Sequence, residues 1–299
     1  MKPFCDTKPF QVPIAGKNAT PLSLAQLPTS IDKLYRSKKN YQKWMDNFKD
    51  ELQDLQRVLY AHGRYSLLMI FQGMDTAGKD GAIRHVMSGV NPQGCSVHSF
   101  KQPSTEELAH DFLWRTTKRL PMRGHIGIFN RSYYEEVLIV KAVPAVLNAQ
   151  LIPESYAEQP DFWPDRYRDI VSFEDYLHRN GTRILKFFLH LSKKEQRKRL
   201  LARADEPDKH WKISSEDLKS RAQWDDFQTV YGECLQNTSH AAAPWYSIPA
   251  DDKRNARLII SQIIIDTLQS LPLAYPEPDE KQLAEVERVR DALRAGSMN

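Results

Sequence analysis

Cysteine is nearly absent. The 299 residues hold three, Cys5, Cys95 and Cys234, far apart in the chain. An odd, scattered set provides neither a disulfide framework nor a CxxC zinc site, and fits a reducing compartment. The nine histidines show no HExxH spacing, and no GxSxG is present, so a zinc hydrolase and a serine hydrolase are both excluded. No apolar run approaches the ~18 residues that span a bilayer; the longest, Leu258 to Leu268, is interrupted by Ser261, Gln262 and Asp266. The N-terminal MKPFCDTKPF has no apolar stretch or cleavage pattern of a signal peptide. Glycine and proline, 12 and 18, follow no triplet period, which excludes collagen-like character. These absences predict a cytoplasmic protein without a membrane partner. What is present, 41% hydrophobic and 27% charged residues, is enough for a sizeable core.

A strong excess of one charge is also missing, since 42 basic minus 38 acidic residues leaves +4. The charge is unevenly placed, however. Lys193–Arg221 carries ten Lys/Arg against six Asp/Glu, which favours an anionic ligand over that segment, the plain alternative being a solvated helix face.

Periodicity divides the rest. Residues 1–30 read as an extended arm. From Ser30 to Ala61, apolar residues recur every three or four positions, from Ile31, Leu34 and Tyr35 to Leu52, Leu55 and Leu59, and predict a helix ended by Gly63. Five short apolar runs follow: Ser66–Gln72, Ser96–Phe100, Ile126–Phe129, Ile184–Leu191 and Trp245–Ile248. Helical stretches are expected at Asp80–Ser88, Thr105–Arg119, Tyr133–Val140, Phe173–Asn180, Lys193–Ala204 and Arg254–Leu268. Strands alternating with helices imply βαβ units and a parallel sheet covered on both faces. The division is an arm and helix (1–60), an α/β core (61–272) with a basic lid at about 193–222, and an amphipathic tail helix (273–299). In that tail Leu283, Val286, Val289 and Leu293 form a stripe expected to pack on the body or on another subunit.

The sharpest motif follows the first run: Gly73-Met74-Asp75-Thr76-Ala77-Gly78-Lys79-Asp80-Gly81, which fits GxxxxGK. Glycines let successive N–H groups turn toward phosphate oxygens, the following helix presents its N-terminus, and Lys79 adds a mobile charge. Asp80 stands where Ser or Thr ordinarily binds the metal, and Asp75 adds a second carboxylate. Two carboxylates beside a phosphate cradle imply a hard cation between them, Mg²⁺ (with Mn²⁺ as a substitute). A helix-start acid is the plain alternative for Asp80.

Ligands of such sheets sit beyond the C-terminal strand ends. Ile126–Phe129 runs into Asn130, Arg131 and Glu135, with Arg131 a candidate for phosphate oxygens and a structural Arg–Glu pair its alternative. Arg197, Arg199, Arg203, Lys209 and Lys212, with Arg84 after the phosphate loop, are candidates for the polyanion under a lid that excludes water. Trp114, Arg115, Asn130, Asp252 and Lys253 are candidate nucleotide contacts, a helix cap being the alternative for Asp252.

The strings FQGMDTAGKDGAIRHVMSGVNPQG, SFKQPSTEELAHDFLWR, IGIFNRSYYEEVL, KFFLHLSKKEQRKR, WKISSEDLKSRAQWDDF and APWYSIPADDK resemble the family-2 polyphosphate kinases over about residues 50–270. The resemblance implies a P-loop kinase fold related to thymidylate kinases. That fold is a three-layer α/β/α sandwich around a five-stranded parallel sheet, with a helical lid. It implies phosphoryl transfer between inorganic polyphosphate and nucleoside mono- and diphosphates, with Mg²⁺, in a homodimer or homotetramer that needs no nucleic acid. FNRSYYEE is similar to class III, whose members accept AMP and ADP. Carried onto this chain, Glu135 takes over from the aspartate that Asn130 replaces. Asp75, Lys79, Asp80 and Arg131 match catalytic positions, with Asp75, Asp80 and Glu135 toward the metal, and Arg197, Arg199, Arg203 and Lys212 match the lid. An ATP-driven nucleotide or small-molecule kinase is the alternative reading, and a polyanion-binding protein without catalysis a more distant one.

Overall fold

The structure, a computed structural model, describes residues 4–14 and 22–295. All seven residues of Ser66–Gln72 (β1) are buried, as expected of a strand with helices on both faces. With Cys95–Ser99 (β2), Ile126–Asn130 (β3), Thr182–His190 (β4) and Trp245–Pro249 (β5) it forms one parallel sheet in the order β2-β3-β1-β4-β5. Alternation along β1 separates the two core layers. Leu67, Met69 and Phe71 pack with helices Lys38–His62, Lys79–Val86 and Lys253–Gln269. Leu68 and Ile70 pack with Phe162–Arg179 and Trp224–Thr238 on the other face. The expected three-layer sandwich is thus present.

The register brings the chemistry together. Phe71 pairs with Asn130, and Gln72 with Phe188, so the loop after β1 emerges beside Arg131 on one flank and the end of β4 on the other. The arm lies along the outer strand: the Val12 N–H donates to Trp245 O at 2.8 Å, and Phe4 packs on Trp44 at 4.6 Å between ring centroids. This covers part of an edge that would otherwise be open to pairing. Residues 1–3 and 15–21 of the expected arm lie outside the described residues.

Several helical expectations are corrected. The first helix starts at Lys38, because the Ser37 side chain caps it by accepting from the Asn40 N–H. Leu34 and Tyr35 instead belong to a connection held by Asn255, which accepts from the Leu34 N–H at 3.0 Å. Thr105–Arg119 is two single turns, Thr105–Leu108 and Trp114–Thr117. A capping box at Ser104 and Glu107 starts the first, and Asp111 breaks the chain by accepting from the Leu113 N–H. Tyr133–Val137 is a 3₁₀ turn rather than an α-helix. Helix Trp224–Thr238 is additional, although Trp224, Phe227, Tyr231 and Cys234 carry its spacing in the sequence. The tail forms a helix, Glu280–Arg294, but it does not pack on the body: Leu283, Val286, Val289 and Leu293 are all exposed. No helix among the described residues is long and apolar enough to cross a membrane.

Between β4 and the 3₁₀ turn lies a buried polar knot. Glu174 and Lys186 have no exposed surface and meet at 2.6 Å. The Tyr133 and Tyr134 hydroxyls both donate to Glu174 Oε1 at 2.7 Å. Lys186 also donates to Tyr134 Oη and to Thr238 O, and His240 lies 2.9 Å from Glu174 Oε2. Burial opposes ionisation of Glu174, yet the Lys186 charge and these hydrogen bonds hold its carboxyl below the usual range. Lys186→Met leaves that carboxylate buried without its cation. The expected cost is about 3–5 kcal/mol, read from denaturant midpoints, with the double variant Lys186→Met/Glu174→Leu recovering part of it.

Candidate active site

The loop after β1 has the backbone its sequence requires. Gly73 has φ +148°, and a Cβ there would lie 2.9 Å from Leu189 O. Thr76 adopts φ +65° despite its branched side chain, a costly conformation of the kind concentrated at functional sites. Its buried hydroxyl has no hydrogen-bond partner. Gly78, also left-handed, leads directly into helix Lys79–Val86, whose first N–H groups open on the loop. Ala77 closes the turn, its N–H donating to Met74 O, and Gly81 lies in the first turn of the helix, where a Cβ would make only ordinary contact with Arg257 at 3.8 Å.

Lys79 lies across the cradle and donates to Gly73 O at 2.5 Å, with Met74 O at 3.5 Å. Burial, helped by the nearby Arg131 charge, lowers its ammonium to about 8 against the pull of Asp75, Glu135 and Asp80. Arg131 joins the two motifs. From a backbone at φ +64° its guanidinium donates to Asp75 Oδ1 at 3.2 Å in the loop and to Glu135 Oε2 at 3.1 Å in the 3₁₀ turn. The Glu135 carboxylate, with Asp75, raises its pKa despite burial. The structural Arg–Glu pair considered from the sequence therefore exists, inside the site. Asn130 donates to Asp80 Oδ1 at 2.5 Å, so the residue replacing a strand-end acid orients the helix-start carboxylate.

The lid candidates separate. Arg199 is buried and does not face an open channel. It donates to Thr76 O, Ala77 O, Ala250 O and Asp251 O and pairs with Glu195 at 3.0 Å. It is a clamp joining the lid helix, the phosphate loop and the end of β5. Arg203 reaches Lys212 O at 3.2 Å and Asp217 at 3.7 Å and ties the lid's segments together. Lys209 pairs with Glu206, and the Lys212 ammonium lies 4.8 Å from the Trp211 ring centre. Arg84 and Arg197 are exposed, with no hydrogen bond or ion pair among the described residues.

The nucleotide candidates also divide. Asp252 caps helix Lys253–Gln269 and accepts from Tyr35 Oη at 2.9 Å; Lys253 is the exposed first residue of that helix. Trp114 stacks on His110 at 3.8 Å and is not on the wall of the neighbouring cavity. Arg115 is on that wall. It donates to Lys101 O at 2.8 Å and pairs with Glu136 at 3.3 Å. The cavity, of about 210 Å³, is also lined by Phe112, Gln150 and Arg166. Burial raises the Glu136 carboxyl, which Arg115 and Arg166 partly offset. Glu135 and Glu136 thus diverge, one toward the loop and one toward the cavity. Arg166 and Gln150 lie outside the strings read from the sequence, and nothing local in the sequence points to them.

Comparison with known proteins agrees with this geometry. The family Polyphosphate kinase 2 (PPK2) matches residues 35–274. The chain belongs to that family. A protein of Rhodopseudomonas palustris named ADP-polyphosphate phosphotransferase is 53% identical over 96% of this chain and 98% of its own. An AMP/ADP-polyphosphate phosphotransferase of Meiothermus ruber is 45% identical over 76% of this chain and 81% of its own. The crystal structure of Polyphosphate Kinase 2 from Arthrobacter aurescens TC1 superposes with a TM-score of 0.82 at 37% identity, covering 95% of this chain and 96% of that one. This chain of the polyphosphate kinase 2 family is therefore a phosphotransferase with a P-loop kinase fold.

Four outcomes follow for the site and its variants. Lys79→Ala lowers turnover by about 10³-fold with the fold kept, since it removes charge at the transferring group. In the free enzyme the Lys79 charge is lost as pH rises through about 8, so kcat/KM for the phosphate donor falls over that range; a flat profile there contradicts the assignment. Arg199→Ala lowers kcat and raises both substrate KM values, since it frees loop and lid together. Arg199→Lys fails to restore either, because one ammonium cannot span four carbonyls.

Proposed function

We propose that this enzyme phosphorylates AMP and ADP, and guanine nucleotides in the same way, with inorganic polyphosphate as donor. The observation carrying this reading is the position of Arg131 between the phosphate loop and the Glu135 turn, beside the cavity walled by Arg115 and Glu136. Donor phosphates lie along the loop and under the lid, and the nucleoside end of the acceptor enters the cavity, its phosphate reaching Arg131. A phosphate oxygen of the acceptor, already ionised at neutral pH, attacks the terminal phosphorus in line. The new P–O bond forms as the bridging P–O bond breaks, and the chain leaves one phosphate shorter. No general base is required. The transition state spreads negative charge over the oxygens, and Lys79, Arg131 and the helix N-terminus meet it. The names of the relatives favour polyphosphate over ATP as donor.

Among the described residues no three His, Cys, Asp or Glu converge as a metal cage. The all-oxygen set of Asp75, Asp80 and Glu135 nevertheless fits Mg²⁺, or Mn²⁺ in its place. Such an ion keeps several waters and binds through one or two carboxylates plus substrate phosphates. Bound there, it would offset the carboxylate charge and draw electrons from the transferring phosphoryl group. Arg131 holds one oxygen of Asp75 and one of Glu135, and Asn130 holds one oxygen of Asp80, which fixes the direction of all three carboxylates. The exposed stripe of the tail helix supports a homodimer or homotetramer. The unpaired thiols of Cys5, Cys95 and Cys234 support a cytoplasmic setting.

Incubated with polyphosphate alone as donor, AMP gives ADP and then ATP, resolved by chromatography. Turnover of ADP without any turnover of AMP at millimolar substrate contradicts the dual acceptor range. Phe112→Ala raises the nucleotide KM by about tenfold, equivalent to roughly 1.4 kcal/mol, and leaves the polyphosphate KM near its original value. The converse pattern moves the nucleotide out of the cavity.

A further inference from the structure

A second basic concavity lies at the opposite end of the sheet. It has a volume of about 620 Å³ and is lined by Arg64, Arg123, Arg179, Arg183, His62 and His178, with no Asp or Glu on its wall. Arg64 precedes β1, Arg123 precedes β3, and Arg179 and Arg183 flank the start of β4, so the parallel sheet gathers all four at its N-terminal edge. The phosphate loop leaves the other edge. The seven residues of β1 at about 3.3 Å each put the two sites roughly 20 Å apart, more than a Debye length.

Arginines near helix C-termini commonly satisfy backbone carbonyls. Two of these do so: Arg183 donates to His178 O at 3.2 Å, and Arg123 to Asn180 O at 3.4 Å. Each uses one of five N–H groups. Arg64 and Arg179 are exposed, and their side chains make no hydrogen bond or ion pair among the described residues. Burial and the Arg183 charge hold the His178 imidazole below its usual range, and Asp175 of the same helix, which opposes them, is engaged by His240 at 3.3 Å. Among the described residues the His178 Nδ1 is buried without a hydrogen-bond partner. Four guanidiniums collected at one place without a single carboxylate partner repel one another unless an anion joins them. The Tyr65 ring is already engaged, by His62 stacked at 5.8 Å and the Arg183 guanidinium at 5.1 Å, which leaves no free platform for a nucleobase.

We propose that this concavity is a second polyphosphate site, holding a distal stretch of the chain whose end is in the active site. The inference rests on polyphosphate being the donor. Guanidinium forks match phosphate oxygens in pairs. Once the chain is held at one site, the other meets it at the effective concentration set by the intervening length, so long chains gain affinity that short ones cannot.

The test compares long-chain polyphosphate with tripolyphosphate, too short to reach both ends, in Arg64→Ala/Arg179→Ala and in the charge-reversed Arg64→Glu/Arg179→Glu. The expected result is a rise of about tenfold or more in the long-chain KM, larger for the reversed pair, and a shallower salt dependence. The tripolyphosphate and nucleotide KM values stay within about twofold. An unchanged long-chain KM in both variants overturns the proposal. So does a parallel rise for both donors, which would place the effect at the active site, or a rise confined to the nucleotide KM, which would make the concavity a nucleotide phosphate site. Binding of single-stranded DNA that the variants abolish while long-chain kinetics stay unchanged assigns the concavity to nucleic acid instead. Absence of turnover with either chain in the unaltered enzyme refutes the donor itself, a result distinct from all of these.

Discussion

The geometry of the site depends on one buried carboxylate. Glu174 has no exposed surface, and its two oxygens accept from Tyr133, Tyr134, Lys186 and His240. Tyr133 and Tyr134 open the 3₁₀ turn that carries Glu135 and Glu136. Fixing both phenols beneath the sheet fixes which way the two following carboxylates point. A buried ion pair of this kind adds little net stability over an apolar pair, because desolvating both charges is expensive. What it provides is direction: a knot in which every donor has its acceptor tolerates few arrangements.

Arg131 and Arg199 extend that order outward. Arg131 links the turn to the phosphate loop through Glu135 and Asp75, and Arg199 links the loop to the lid helix and to the end of β5 through four backbone carbonyls. Displacing the lid therefore disturbs the loop directly, since the same guanidinium holds both. The strained backbone of Thr76 and Arg131 persists because these contacts determine it from several sides. Lys79, its ammonium lowered by burial, donates to a loop carbonyl.

The distribution of basic residues follows from the parallel sheet. All strand C-termini lie at one edge, where the loop, Arg131 and the lid meet, and all N-termini lie at the other, where four arginines collect.

The elements with strong local signals were legible from the sequence. The five apolar runs match the five strands because a parallel strand buried on both faces must be continuously apolar, and the GMDTAGKDG segment forms the turn from β1 into a helix, with Gly73 and Gly78 where the backbone is left-handed. The same strings resembled the family that the comparisons then showed. Helix boundaries were less legible: Ser37, Ser104 and Asp111 set them through side-chain caps that compete with an apolar period. Only the tertiary structure decided what each arginine touches. Arg199 and Arg203 look alike in a basic run, yet one is buried among carbonyls contributed by two other segments and the other braces the lid. Arg166 and Gln150, and the four arginines of the second concavity, converge from distant positions. The physical reason is that guanidinium partners are chosen across space by the end of the sheet at which each segment emerges. Local sequence sets the periodicity of a segment and carries no record of its neighbours.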